Sequence, residues 1–305
     1  MTAREFVAGV PPSSLRGTWL EHEPLAEHTS WRTGGPAERF YQPADLDDLV
    51  EFLRTLPPDE PLFWLGLGSN VLVRDGGIRG TVVCTKNRLR AIEVRGPACV
   101  YAEAGIPCAH IARFCTDRDW VGAEFLAGIP GTLGGALAMN AGAFGGETWS
   151  LVRRVLTVKR SGRTIWRAPE EFEVGYRHVH GPEGEWFLAA ELELAPGDGR
   201  AGRERIKALL ARRTATQPTH QPSCGSVFRN PPGDFAARLI EACGLKGHAV
   251  GGAQVSAKHA NFIVNSGNAT AADIETLISE VRNRVALLSG IWLEPEVLIV
   301  GEPPV

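Results

Sequence analysis

The chain is 305 residues long, enough for one large packed core or two to three small ones. A formal net charge of −3 gives no broad positive field for nucleic acid, and no segment reaches the apolar length of a bilayer span. The opening MTAREFVAGVPPSSLRGTW carries Arg4 and Glu5 and no long apolar core, so it does not read as a secretory signal and a cytoplasmic protein is expected.

Asp45 to Leu56 sets Leu46, Leu49, Val50, Leu53 and Leu56 on one helical stripe, which Pro57 and Pro58 end. Pro61 to Leu65 reads as a short buried strand, followed by Val71 to Val73 and Thr81 to Cys84, with Asp75, Gly76 and Gly77 turning between those two. Ala98 to Ala102 is a further strand, and a helix is expected through Pro107 to Thr116. Beyond a glycine cluster from Gly128 to Gly146, the pattern switches to strands at Leu151 to Lys159, Arg163 to Arg167 and Trp186 to Leu194. Ala195 to Gly202 is small and polar and reads as a linker. Helices follow at Arg203 to Arg213, Phe235 to Cys243 and Ala271 to Leu288, with strands at Asn261 to Asn265 and Glu296 to Val300. This is an α/β or α+β protein of three lobes.

The six cysteines lack tight pairs or zinc-finger spacing and are expected to be buried free thiols. The histidines show no metal-ligand pattern; His178 and His180 share one side of a strand without a third ligand, so no metal is expected.

Five segments hold groups that chemistry can use. Gly66, Leu67, Gly68, Ser69 and Asn70 follow a predicted strand, and fit a bare tight turn as well as an anion cradle. The cluster from Gly128 to Gly146 has almost no charge. Its glycine density is expected to exclude helix and strand and to wrap backbone around a partly apolar ligand with a pyrophosphate; a glycine-rich packing crossover is the alternative. Arg177, after Tyr176, offers a fork for a carboxylate or phosphate, a plain surface arginine being the other reading. Ser226, beside Gly225, either donates a proton or caps a turn, and no GxSxG elbow supports a hydrolase. Glu296 opens an apolar strand, at a cavity edge or simply as an exposed strand end.

Together these segments resemble the UDP-N-acetylenolpyruvoylglucosamine reductase family. The match runs through HTSWRTGGPAERF (His28 to Phe40), WLGLGSNVLVRDGGIRGTVV (Trp64 to Val83) and AGIPGTLGGALAMNAGAFGGE (Ala127 to Glu147). It continues with GYR (Gly175 to Arg177), CGSVFRNP (Cys224 to Pro231), GGAQVSAKHANFIVN (Gly251 to Asn265) and LEPEV (Leu293 to Val297). GLGSN or the glycine cluster alone would point only to the wider vanillyl-alcohol-oxidase-like flavin fold.

The resemblance implies an α+β, three-domain flavoprotein with non-covalent FAD. Its two-part flavin region, of PCMH type, would occupy 1–83 and 84–197, and a C-terminal α/β substrate domain 198–296, with 297–305 packing on the first part. It implies flavin-binding roles for Gly66, Gly68, Ser69, Asn70, Val71, Gly131, Thr132, Gly134, Gly135, Asn140, Ala141 and Gly142. Arg177, Ser226 and Glu296 fall on its catalytic arginine, serine and glutamate, while Tyr176, Asn230, Gln254 and His259 match substrate-binding segments. NADPH would be the hydride donor and UDP-N-acetylglucosamine enolpyruvate the partner. Thr216 stands where the family commonly has lysine, so a phosphate-binding cation would come from Arg213, Arg229 or Lys258 or be absent. The oligomeric state stays open, a monomer being compatible. A flavin oxidase of the same broad fold and a non-enzymatic sugar-nucleotide-binding module are the competing classes.

Overall fold

In the computed structural model, which describes residues 14–304, the Leu46–Thr55 helix forms on its apolar stripe. Most of the opening segment read as lacking a secretory signal lies outside the described residues. Asp45 caps the helix by accepting from the Asp48 amide at 2.9 Å, and Leu49, Phe52 and Leu53 are buried along one side. Phe52 stacks on Tyr41 with ring centroids 3.8 Å apart. Val83, Val158 and Leu188 complete that core, where burying each large apolar side chain contributes about 1.5–3 kcal/mol.

Cα packing divides the chain into two units. The first comprises the residues up to Glu21 with Arg39–Leu67 and Gly80–Leu210. The second comprises His22–Glu38, Gly68–Arg79 and the chain from Ala211 onward, so the units cut across the expected 1–83 segment.

The first unit is built on a five-stranded antiparallel sheet in the order Thr164–Arg167, Val152–Lys159, Glu185–Glu193, Cys99–Glu103, Ile92–Gly96. The Cys108–Thr116 and Leu133–Ala138 helices pack on it through Ile111, Ala112, Leu133 and Leu137 against Val100, Ala102 and Leu192. Two expectations are corrected here. The glycine cluster does contain a helix, Leu133–Ala138, in spite of Gly134 and Gly135. The Gly134 amide donates to Ala104 O at 2.8 Å, and a Cβ at Gly134 would lie 2.9 Å from Ala104 Cβ. Close packing outweighs the poor helix propensity of glycine. Likewise, the Gly199–Thr216 helix starts inside the expected linker, because Gly199 and Gly202 pack on Thr116, where a Cβ would meet the Thr116 carbonyl or methyl.

The sheet carries two bidentate ion pairs. Arg154 grips Glu191 at 2.8 and 2.6 Å, and Arg167 grips Glu185 at 3.1 and 2.6 Å. In each pair the arginine hydrogen bond holds the carboxyl below its ordinary value of 4.5. A carboxyl depressed in the folded state stabilises the fold above its unfolded pKa, and that contribution is lost as pH falls through the folded value. The contribution of these two pairs to the urea midpoint should therefore be constant from pH 7 to about 5 and be lost below about 4.5, and Glu185→Gln should remove part of that loss.

The second unit has a three-stranded antiparallel sheet, Ala249–Val250, Ala253–Val255 and Ile263–Asn265. The Ala271–Ser289 helix, capped by Thr270, buries Ile274, Leu277, Ile278 and Val281 in the core of this unit. Trp31, Leu72, Val227, Phe228 and Leu293 share that core, which brings three distant segments together. Leu298–Val300 pairs in parallel with Val71–Val73. The six thiols are unpaired and five are buried. Among the described residues no helix is long and apolar enough to cross a membrane.

Candidate active site

In the first unit, Gly66 ends the Leu62–Leu65 strand against Thr132. A Cβ at Gly66 would lie 2.4 Å from Thr132 Oγ1, a buried hydroxyl with no hydrogen-bond partner among the described residues. The neighbouring backbone is fixed. Cys108 N donates to Gly131 O at 2.9 Å, and Leu133 N to Ile106 O at 2.9 Å. Gly135 faces open space, its would-be Cβ meeting only Thr132 Oγ1 at 4.0 Å. An unspent buried hydroxyl beside side-chain-free backbone suits a flavin's phosphate or polar groups, so these residues fit FAD.

Further along, the same run seats Arg177. Asn140 is buried with φ at 41°. Its side chain donates to Glu147 Oε2 at 3.0 Å and Gly175 O at 3.1 Å, and accepts from Trp149 N at 3.2 Å. Ala141 likewise spends its amide on Ala136 O and its carbonyl on Thr148. The Arg177 guanidinium donates to Gly142 O at 2.9 Å and Asn140 O at 3.4 Å. Tyr176 and Arg177 form the two-residue tip between the Glu173–Gly175 and His178–His180 strands. Arg177 has φ at 54° there, a left-handed conformation that costs a non-glycine residue about 1–3 kcal/mol. The structure thus joins Asn140 and Gly142 to Arg177, and Asn140's side chain is committed within the protein.

In the second unit, Gly68 has φ at 68°, and its O accepts from Ser30 N at 2.9 Å and Cys224 Sγ at 3.5 Å. Burial pushes the Cys224 thiol up to about 12, so it is neutral and donates. Asn70 donates through Nδ2 to Glu296 O at 3.0 Å. Glu296 N donates in turn to Val227 O at 2.7 Å, and Phe228 bridges Pro295, so the Ser226 and Glu296 segments lie side by side. Among the described residues the Ser226 hydroxyl has no protein hydrogen-bond partner, which leaves it open to a substrate.

Asn261 is a residue the sequence reading missed. Buried, it accepts at Oδ1 from Phe228 N at 3.0 Å and donates to Phe228 O at 2.8 Å, while its own O accepts from Val227 N at 2.9 Å. The available signal was an amide side chain inside the apolar ANFIVN run.

The remaining expected contacts are less drawn together. Asn230 Oδ1 accepts from Ala236 N at 3.1 Å, at the start of a helix. Gln254 donates to Gly247 O at 3.1 Å. His259 Nδ1 accepts from Asn261 N at 3.3 Å, and burial, helped by Lys246, holds the imidazole below its ordinary value and therefore neutral at pH 7. Around Thr216, Lys258 donates to Thr214 O at 2.5 Å and Arg213 to Gln217 Oε1 at 3.2 Å.

Residues 37–167 match the family model described as FAD binding domain, and residues 217–300 the one described as UDP-N-acetylenolpyruvoylglucosamine reductase, C-terminal domain. The chain is 89% identical over 302 residues to the UDP-N-acetylenolpyruvoylglucosamine reductase of Methylococcus capsulatus, covering 99% of each chain. It is 64% identical over 293 residues to the enzyme of that name from Alkalilimnicola ehrlichii, covering 96% of this chain and 97% of that one. The crystal structure of UDP-N-acetylenolpyruvylglucosamine reductase from Thermus caldophilus superposes with a TM-score of 0.80 at 31% identity, covering 93% of this chain and 99% of that one.

Proposed function

The chain belongs to the UDP-N-acetylenolpyruvoylglucosamine reductase family, and from that premise we propose how its own residues carry the family's reaction. It is an FAD-dependent oxidoreductase that uses NADPH to reduce the enolpyruvyl double bond of UDP-N-acetylglucosamine enolpyruvate, giving UDP-N-acetylmuramate for peptidoglycan synthesis. The finer assignments concern residues, setting and boundaries.

We assign Gly66, Gly68, Ser69, Val71, Gly131, Thr132, Gly134 and Gly135 to the binding of FAD. When bound, FAD supplies the electron relay between NADPH and the substrate. Ser226 gives a proton to C2 of the enolpyruvyl group. A neutral serine is a weak acid, so this depends on a strongly basic carbon and a fixed hydroxyl. Arg177 and Glu296 stabilise the electron-rich, enol-like arrangement that builds around the substrate carboxylate. Tyr176, Asn230, Gln254 and His259 orient the sugar nucleotide and the nicotinamide.

The observation that carries the reading is the 2.7 Å bond from Glu296 N to Val227 O, which sets the two proposed catalytic segments of the second unit side by side although they are far apart in the chain. We retain the division into 1–83, 84–197 and 198–296; the two family matches, one ending at 167 and the other beginning at 217, bracket the boundary at 197/198 alone. A cytoplasmic setting, with consequences for cell shape and division, follows from a nucleotide-activated precursor.

The purified protein should be yellow, and its anaerobic flavin spectrum should bleach with NADPH and recover on adding UDP-N-acetylglucosamine enolpyruvate. Bleaching without recovery would keep the flavoprotein and remove the substrate, pointing to an oxidase of the same fold.

A further inference from the structure

We propose that Asn70 is a positioning residue for Glu296, so that the side chain of the loop expected to hold only flavin serves the proton-transfer half of the reaction. The inference rests on the reading that Glu296 acts on the substrate. Asn70 immediately precedes the Val71–Val73 strand, whose parallel partner begins at Leu298. Its O accepts from Leu298 N at 3.0 Å, and its Nδ2 donates to Glu296 O at 3.0 Å. One residue therefore grips the chain on both sides of Val297. The first grip continues the parallel ladder. The second does not, because Glu296 lies before the Leu298–Val300 strand begins.

The amide of Glu296 is held separately, by Val227 O at 2.7 Å. With both flanking peptide groups held, the φ and ψ of Glu296 are fixed, and these set the direction of the Cα–Cβ bond from which its carboxyl reaches. Asn70 thus shares this frame with the Ser226 segment, whose Val227 O accepts from Glu296 N and, at 3.4 Å, from Val297 N. A rate that depends on a carboxyl's aim is sensitive to its frame, since a misplacement of about 1 Å can cost about 10²-fold. The side chain spent on Glu296 is not available to a flavin phosphate, so a flavin role for Asn70 is left to its backbone.

Asn70→Asp keeps the shape and replaces the donor by an acceptor facing a carbonyl; Asn70→Ala removes the donor without adding charge. Both should purify with the wild-type FAD content and reach wild-type rates of flavin bleaching by NADPH. Reoxidation by the enolpyruvyl substrate should slow by about 10- to 100-fold, with kcat falling and KM for that substrate little changed. In a double variant with Glu296→Gln, the Asn70 change should add little further slowing, because the two act through one group.

Loss of FAD in both variants would make Asn70 a flavin ligand and overturn the proposal, and so would equal slowing of both half-reactions, or none. Additive slowing in the double variant would overturn it too. Glu296→Gln alone separates the premise from the inference. If that variant reoxidises at the wild-type rate, the reading of Glu296 has failed. If it is slow while the Asn70 variants are not, only the positioning role has failed.

Discussion

Ser226→Ala should slow reoxidation of the reduced flavin by the enolpyruvyl substrate by about 10²- to 10⁴-fold, the usual worth of a positioned general acid. Flavin bleaching by NADPH should be unchanged. The substitution is clean because it removes one oxygen that, among the described residues, has no partner within the protein. The backbone that aims it stays fixed, since Val227 N donates to Asn261 O at 2.9 Å and Phe228 is gripped at both N and O by the Asn261 side chain. Stability should accordingly move by no more than about 0.5 kcal/mol. Stopped-flow measurement of each half-reaction separates the effects. Wild-type reoxidation in this variant would mean that the proton comes from elsewhere, and the serine would return to capping a turn.

How much of this was legible beforehand depends on the range of the interaction. The Leu46–Thr55 helix was readable because a stripe and a proline stop act over a few residues. So were most strands of the five-stranded sheet, although their order across it, with Cys99–Glu103 beside Glu185–Glu193, is a long-range fact that no local pattern states. The two helices read wrongly fail for one reason. Gly134 and Gly199 look like breakers or linker locally, but each is glycine because another segment comes too close for a Cβ. Resemblance gave the proposed site residues their names, and the structure adds which of them touch. Arg177 rests on the carbonyls of Asn140 and Gly142, a contact spanning 35 residues or more. Asn70 meets Glu296 across 226 residues, and nothing in either segment alone announces the pairing.

Gly68→Ala should be among the most damaging single methyls that can be added to the second unit. At φ 68° an alanine sits in the left-handed region, and the new Cβ would lie 2.1 Å from His28 O and 2.9 Å from Thr29 Cα. Both are backbone atoms, so neither can swing aside. The strain and the forced shift together should cost several kcal/mol, about 3 or more, and lower the urea midpoint to match. Ser30 N, Cys224 Sγ and Glu296 O are all bonded within two residues of this point, so the shift should also reduce activity in whatever protein remains folded. Gly66→Ala is the informative contrast. Gly66 is not in the left-handed region, and its Cβ would meet a side-chain atom, Thr132 Oγ1, at 2.4 Å. A threonine hydroxyl can rotate away at the cost of a rotamer change of about 1 kcal/mol. The fold should therefore survive, while the space beside the orphaned hydroxyl is filled and FAD affinity falls. Unfolding midpoints and flavin titrations of the two variants should accordingly diverge, Gly68→Ala in stability and Gly66→Ala in flavin binding. If both lost stability equally, the Thr132 cradle would be a packing contact and the flavin assignment of Gly66 would fall.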